Sequence, residues 1–248
     1  MAVFSDTTGT KDGLVQRFEF WTRMKDGAVT GTLLKQVTSR INVAYERIMP
    51  ILLSNSDYIR WDDKGHGDRP IGTFDIVSGQ SDYTIAVDEN SLEILNITAV
   101  RILTSATATE YEDLNRFKLD DSRVLDAMSP NPSSAGIPDG YVENGNSIFF
   151  TPEPNYSVTD GVKIFFQREH DRFASTDTTK TSGIPKIFDE LLVLHAAKDW
   201  TAVNRTNDAS LRNEIRLQIE ELERNLKNFI DMRNPTDIKM TMGSVNHR

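Results

Sequence analysis

The sequence contains no cysteine. That absence excludes disulfides, thiolate zinc sites and cysteine nucleophiles, and it suits a protein made in a reducing cytoplasm. Basic residues are in deficit, with 28 Lys and Arg against 37 Asp and Glu and a formal charge of −9. Proteins that wrap duplex DNA draw affinity from clustered Lys and Arg, so that class is excluded. No stretch approaches the roughly 20 apolar residues of a membrane span, and residues 1–10 lack the basic start and apolar run of a signal peptide. No membrane partner and no export by that route are expected. Also missing are a G-x-x-x-x-G-K-[ST] phosphate loop, a G-x-S-x-G nucleophile elbow, an H-E-x-x-H metal helix and any internal repeat.

What is present is organised around residues 184–232, which read as two helices packed back to back. Pro185 suits a first helical turn, where its missing N–H would be unpaired anyway, and Asp189 and Glu190 place negative charge at the positive end of the dipole. From Phe188 onward Leu191, Leu192, Val193, Leu194, Ala196 and Ala197 leave almost no polar face, so this helix must be covered on most sides. After a polar break, Asp208 can cap a second helix, on which Ile215, Ile219, Leu222, Leu226 and Phe229 form a narrow apolar stripe. Pairs such as Arg216 with Glu220, at i,i+4, mark its outer face as solvated or set against a charged partner. Leu14, Phe18 and Trp21 predict a short helix ending near Asp26-Gly27. Leu34, Val37, Ile41, Ile48 and Leu52 predict a longer one that Pro50 kinks or ends.

Between these helices the period changes from helical to two-residue. Tyr83, Ile85 and Val87 alternate with polar residues, residues 92–103 continue as strand, and Val162, Ile164 and Phe166 form another. Asn144-Gly145 predicts a tight hairpin between residues 141–143 and 147–151. Residues 112–128 return to helical spacing through Leu114, Phe117, Val124, Leu125 and Met128. The expected fold class is α+β: an antiparallel helical bundle of about three or four helices, with an inserted small antiparallel β-sandwich or barrel. Its expected parts are a flexible N-terminal arm (1–13), a helical core (14–60 and 184–233), an inserted β domain (71–170) and a C-terminal tail (234–248). Residues 1–13, rich in Ser, Thr, Gly and Asp, read as an arm with no fold of its own until something binds it.

Catalysis finds no support in the residues. His195 lies in the most apolar helix and reads as a core or subunit-contact histidine. Asp62, Asp63 and Asp68 suggest a calcium loop, yet Lys64 sits where a ligand belongs, so a solvated turn is expected. Glu110, Glu112 and Asp113 could serve a glycosidase only if two of them faced each other across a cleft. No catalytic residue, metal or cofactor is therefore expected. Trp21, Trp61 and Trp200 read as core, with anchoring at a subunit contact as the alternative. In the tail, Ile238, Met240 and Met242 alternate with polar residues, which fits either an unfolded segment or a strand added to another protein's sheet.

The order of motifs along the chain carries a resemblance. LLKQVTSRINVAYE (33–46), Trp61-Asp62-Asp63, Pro70, SGQSDY (78–83), GIPDGY (136–141), GNSIFFTPEP (145–154) and GIP (183–185) before a Leu- and Ala-rich helix follow one another. That series resembles the head-to-tail adaptor (connector, head-completion) proteins of tailed bacteriophages, podovirus-like ones in particular, over about residues 33–233. The resemblance implies a non-enzymatic virion protein of the neck, made in the bacterial host cytoplasm. It would form a ring, commonly dodecameric, between the portal protein and a tail or nozzle protein. Packaged DNA would pass through its lumen toward ejection without sequence-specific binding. It further implies Phe188, Leu191, Leu192, His195, Ile219, Leu222 and Leu226 as core or ring-interface residues, and the tail with Pro235, Ile238, Met240 and Met242 as a portal-docking element. The alternatives are a tail-tube or nozzle subunit of the same virion or, from another class, a carbohydrate-binding or carbohydrate-active module.

Overall fold

In the computed structural model, residues 2–7, 9–53, 70–88, 91–122, 125, 128 and 135–233 are described. Two compact units divide the chain. One comprises Met1–Gly65 with Arg172–Arg248, and the other is His66–Asp171.

In the first unit the apolar periodicity becomes α1 (Leu14–Trp21), α2 (Gly31–Leu53), α3 (Asp189–Asn204) and α4 (Ala209–Arg233). α3 is preceded by a 3₁₀ turn over Lys186–Phe188. Because α3 is apolar on nearly all sides it packs against α1, α2 and α4 at once, and Leu191 to Leu194 are fully buried. The stripe of α4 supplies Leu211, Ile215, Ile219, Leu226 and Ile230 to the same core, and Asp208 Oδ1 caps the helix by accepting from Leu211 N–H at 3.0 Å. α2 runs one turn past Pro50, whose position is exposed, so the proline neither ends the helix nor enters the core.

The expected arm is docked. Phe4 N–H donates to the Lys180 carbonyl (2.7 Å), Ser5 N–H to that of Thr178 (3.1 Å), and Val3 bridges Thr181. Phe4 is fully buried and stacks on Phe173, with ring centroids 4.9 Å apart. Burying one phenylalanine and pairing the backbone compensates the ordering entropy that a polar composition alone would not.

The second unit is built from strands: β1 (Ile71–Ile76), β2 (Asp82–Thr84), β3 (Ile94–Ile102), β4 (Glu112–Asp113), β5 (Asn115–Arg116), β6 (Ala135–Gly136), β7 (Gly140–Asn144), β8 (Ser147–Thr151), β9 (Glu153–Pro154) and β10 (Val158–Arg168). One sheet has the order β1-β10-β3-β4, a second β2-β8-β7-β5, and β6 pairs with β9 alone. Its core gathers Ile76, Ile97, Val100, Ile102, Ile148, Phe150, Val162, Ile164 and Phe166. The hairpin forms, but Asn144 pairs with Ser147, so the turn residues are Gly145-Asn146. Of these two only Gly145 has positive φ (59°), the pattern of a II′ rather than a I′ turn.

The expected helical bundle with an inserted antiparallel sandwich or barrel is overturned. Among the described residues, four helices and about ten strands in three sheets make a mixed α+β chain. The helices gather round α3, and one of them is only eight residues long. Two strand pairs, β5 with β7 and β6 with β9, run parallel, and the described sheets are not closed into a barrel. The helical spacing read at 112–128 fails over its first half, while Ser122 and Leu125 further on are helical. Its first residues pair as strands with β3 and β7, because Leu114 and Phe117 belong to a winding extended path.

Candidate functional site

The candidates on α3 and α4 meet in one seam inside the helical unit. Phe188, Leu191, Leu192, Ile219 and Leu226 are buried there, with Leu222 half-buried against them. Phe188 packs edge-on to Phe229 at 5.3 Å. These seven residues therefore build the subunit interior and offer little free surface. His195 shares the seam, with Nε2 3.1 Å from Glu223 Oε1 and a buried Nδ1 that has no hydrogen-bond partner. Burial holds its pKa below the ordinary histidine value, against the opposing pull of the Glu223 carboxylate. A neutral, buried imidazole tied to one carboxylate is a structural polar contact. The tail residues Pro235, Ile238, Met240 and Met242 lie outside the described residues, as do Trp61, Asp62, Asp63 and Asp68.

The acidic candidates do not form a catalytic pair. Glu112 and Asp113 are adjacent on β4 and exposed, so their side chains leave opposite faces. Asp113 is held by Arg101 through Nε (2.5 Å) and Nη2 (3.2 Å), and Glu112 accepts from the Thr104 hydroxyl at 3.4 Å. Tyr156, whose hydroxyl donates to the Leu103 carbonyl at 2.8 Å, is pushed up to about 12 by burial and stays protonated. Among the described residues no three His, Asp or Glu side chains gather as a metal site, and no helix is long and apolar enough to cross a membrane.

Sequence reasoning missed the buried polar anchors. Asp189, fully buried at the head of α3, accepts from Ala2 N–H at 2.8 Å and from the Ser182 hydroxyl, while the Tyr45 hydroxyl donates to the Ser182 carbonyl. Burial raises the Asp189 pKa, and the two donors pull it partly back. Glu19 closes the α1–α2 connection, accepting from Val29 N–H (2.8 Å) and Gly27 N–H (3.1 Å). Trp21 Nε1–H donates to Glu190 Oε1 at 2.7 Å, and Trp200 meets Phe18 edge-on. In the β unit Arg168 and Asp88 form an ion pair at 2.8 Å with both side chains buried.

Outside these cores the helical unit exposes large apolar side chains: Phe20 at 75%, Ile187 at 64%, Val203 at 67% and Met232 at 78%. Single exposed apolar residues are ordinary, but this unit already encloses a full core, so the surplus is available for contact with other chains.

The model of the SU10 adaptor protein family matches residues 10–238. The chain belongs to that family. It is a structural adaptor protein of a bacteriophage virion, of a kind that is typically non-enzymatic. The match spans both units, so the β unit is as much a part of the adaptor as the helices are. A search of the curated proteins found no match.

Proposed function

We propose that copies of this adaptor close into a dodecameric ring between the portal protein and a tail or nozzle protein at the virion neck. The ring continues the channel for packaged DNA. The observation that carries this reading is family membership across residues 10–238, coupled to a helical unit that leaves Phe20, Ile187, Val203 and Met232 outside a complete core. A formal charge of −9 suits a lumen through which DNA must slide without sticking. Interface burial, not a chemical step, does the work.

Native mass spectrometry of the full chain, alone and mixed with the portal protein of the same phage, tests it. Capture of about one adaptor per portal subunit is expected, because linked binding draws a weakly associating chain into the ring. A chain that stays monomeric in both samples overturns the proposal. Phe20→Ser should leave monomer stability within about 0.5 kcal/mol, as exposed positions do, while reducing capture. Undiminished capture would remove Phe20 from the interface.

A further inference from the structure

The β unit ends its two larger sheets on open edges that face one groove. Phe166 N–H donates to the Pro70 carbonyl at 3.2 Å, and Gly72 lies opposite Ile164. By the alternation of an antiparallel ladder, Ile71 and Thr73 therefore aim their backbone N–H and C=O groups away from β10. No strand among the described residues takes them. On the other sheet Phe150 N–H donates to Ser81 and Ile85 N–H to Asn146, so Asp82 and Thr84 of β2 also aim outward. A groove of about 410 Å³ lies along these edges, lined by Ile71, Phe74, Thr84, Ile85, Ile94 and Phe166 among others. Gly72 is part of its lining, and a Cβ there would come within 3.3 Å of the Ile164 side chain. Open edges beside an apolar groove invite an added strand, and β1 is regular from Ile71 to Phe74, before the register shift that precedes Ile76.

We infer that this groove receives the C-terminal segment of a second copy, with residues 237–242 adding a strand beside β1. The inference rests on the ring reading only in that a neighbouring copy supplies the segment. Four observations favour this occupant. Ile238, Met240 and Met242 alternate with Asp237, Lys239 and Thr241, which is the period a strand needs to send one set of side chains into a groove. The six residues equal the length of β1. Methionine, unbranched and adaptable, fills irregular apolar gaps. The chain continues for fifteen residues beyond Arg233, the end of α4, which leaves length for such an exchange.

The absence of cysteine makes a clean test possible. Met240→Cys and Thr84→Cys are made in separate full-length populations, mixed with and without portal protein, and bridged with a short bismaleimide. Docking predicts a cross-linked heterodimer about tenfold more abundant than in a Met240→Cys with Thr107→Cys control, because pairing raises the local thiol concentration. Adding Ile238→Asp to the Met240→Cys chain, which alters no residue of the groove, should abolish the excess. No excess over the control, or bridging only within one chain of a Met240→Cys/Thr84→Cys double variant, overturns the inference. Native mass read on the same samples keeps the two readings apart. Rings without the cross-link overturn the docking alone, and the cross-link without rings overturns the ring alone.

Discussion

The two units close themselves in different ways. The helical unit satisfies most of its backbone within its helices and buries α3 from Leu191 to Ala197, so what it leaves over is side chain: Phe20, Ile187, Val203 and Met232. The β unit leaves over backbone, at the outer edges of β1 and β2, together with a groove that keeps Phe74, Ile85 and Ile94 only half-buried. Helices can be extended only by packing, whereas a sheet can be extended by hydrogen bonding. Both units expose apolar side chains, Leu95 and Ile137 among those of the β unit, but only the β unit adds open backbone edges to them. They also differ in how they hold charge inside: the helical unit ties its buried carboxylates to backbone N–H groups, and the β unit pairs Asp88 with a guanidinium.

That difference sets the order of the expected effects. Removing one member of a buried ion pair is the most damaging change, so Asp88→Ala should destabilise the β unit by roughly 3–5 kcal/mol. Hydrogen exchange should show lost protection in β3 and β10, with α3 unaffected. Equal loss in both units would mean that they unfold as one. Leu192→Ala, at a fully buried position of α3, leaves a cavity and should cost roughly 2–5 kcal/mol, read by the same exchange experiment in α1, α2 and α4. A cost below 1 kcal/mol there would mean that the helices relax around α3 instead of being fixed by it. Glu19→Ala should cost roughly 1–3 kcal/mol, since two backbone donors lose their acceptor in a buried turn. Thermal unfolding compared with Glu19→Gln, which keeps one acceptor oxygen, would separate lost hydrogen bonds from lost volume.

Legibility in the sequence followed whether a residue's partners lay nearby. The stripe of α4 and the strand of Val162, Ile164 and Phe166 were readable, because a period of 3.6 or two is written locally. Phe4 and Ala2 were not, since their partners at Phe173, Lys180 and Asp189 lie more than 160 residues away and a polar composition hid two anchors. Asp189 and Glu190 were read correctly as acids at a helix start. Their further use as acceptors for Ala2 and Trp21 is tertiary and left no local trace. Arg168 did leave one, continuing the two-residue phase of Val162, Ile164 and Phe166, and a charge in an inward register asks for a buried counter-charge. Residues 112–117 misled because Leu114 and Phe117, three apart, satisfy a helix as well as a bent pair of short strands. The seam of Phe188, Leu191, Leu192, His195, Ile219, Leu222 and Leu226 was legible as a set, but not which side of the subunit boundary it occupies.

The smallest effect concerns the polar contact within that seam. His195 is held below its ordinary pKa of 6.5 first by burial, with Lys198 and Arg47 acting in the same direction and Glu223 opposing them. Its native form is therefore neutral at pH 7. Below about 6.5 the unfolded chain takes up a proton that the folded chain does not, so the unfolded state gains as pH falls. The stability that His195 contributes should thus be fully present above pH 6.5. It should decline as pH drops toward the folded-state value, and level off once the folded imidazole also titrates. His195→Gln, which keeps a donor for Glu223 but cannot ionise, should remove this component of the slope between those limits while leaving stability at pH 8 nearly unchanged. Denaturant midpoints measured at matched ionic strength would show it. A slope of the opposite sign in the wild-type chain, reversed by the same substitution, would mean that Glu223 outweighs burial and that the pair is a charged one.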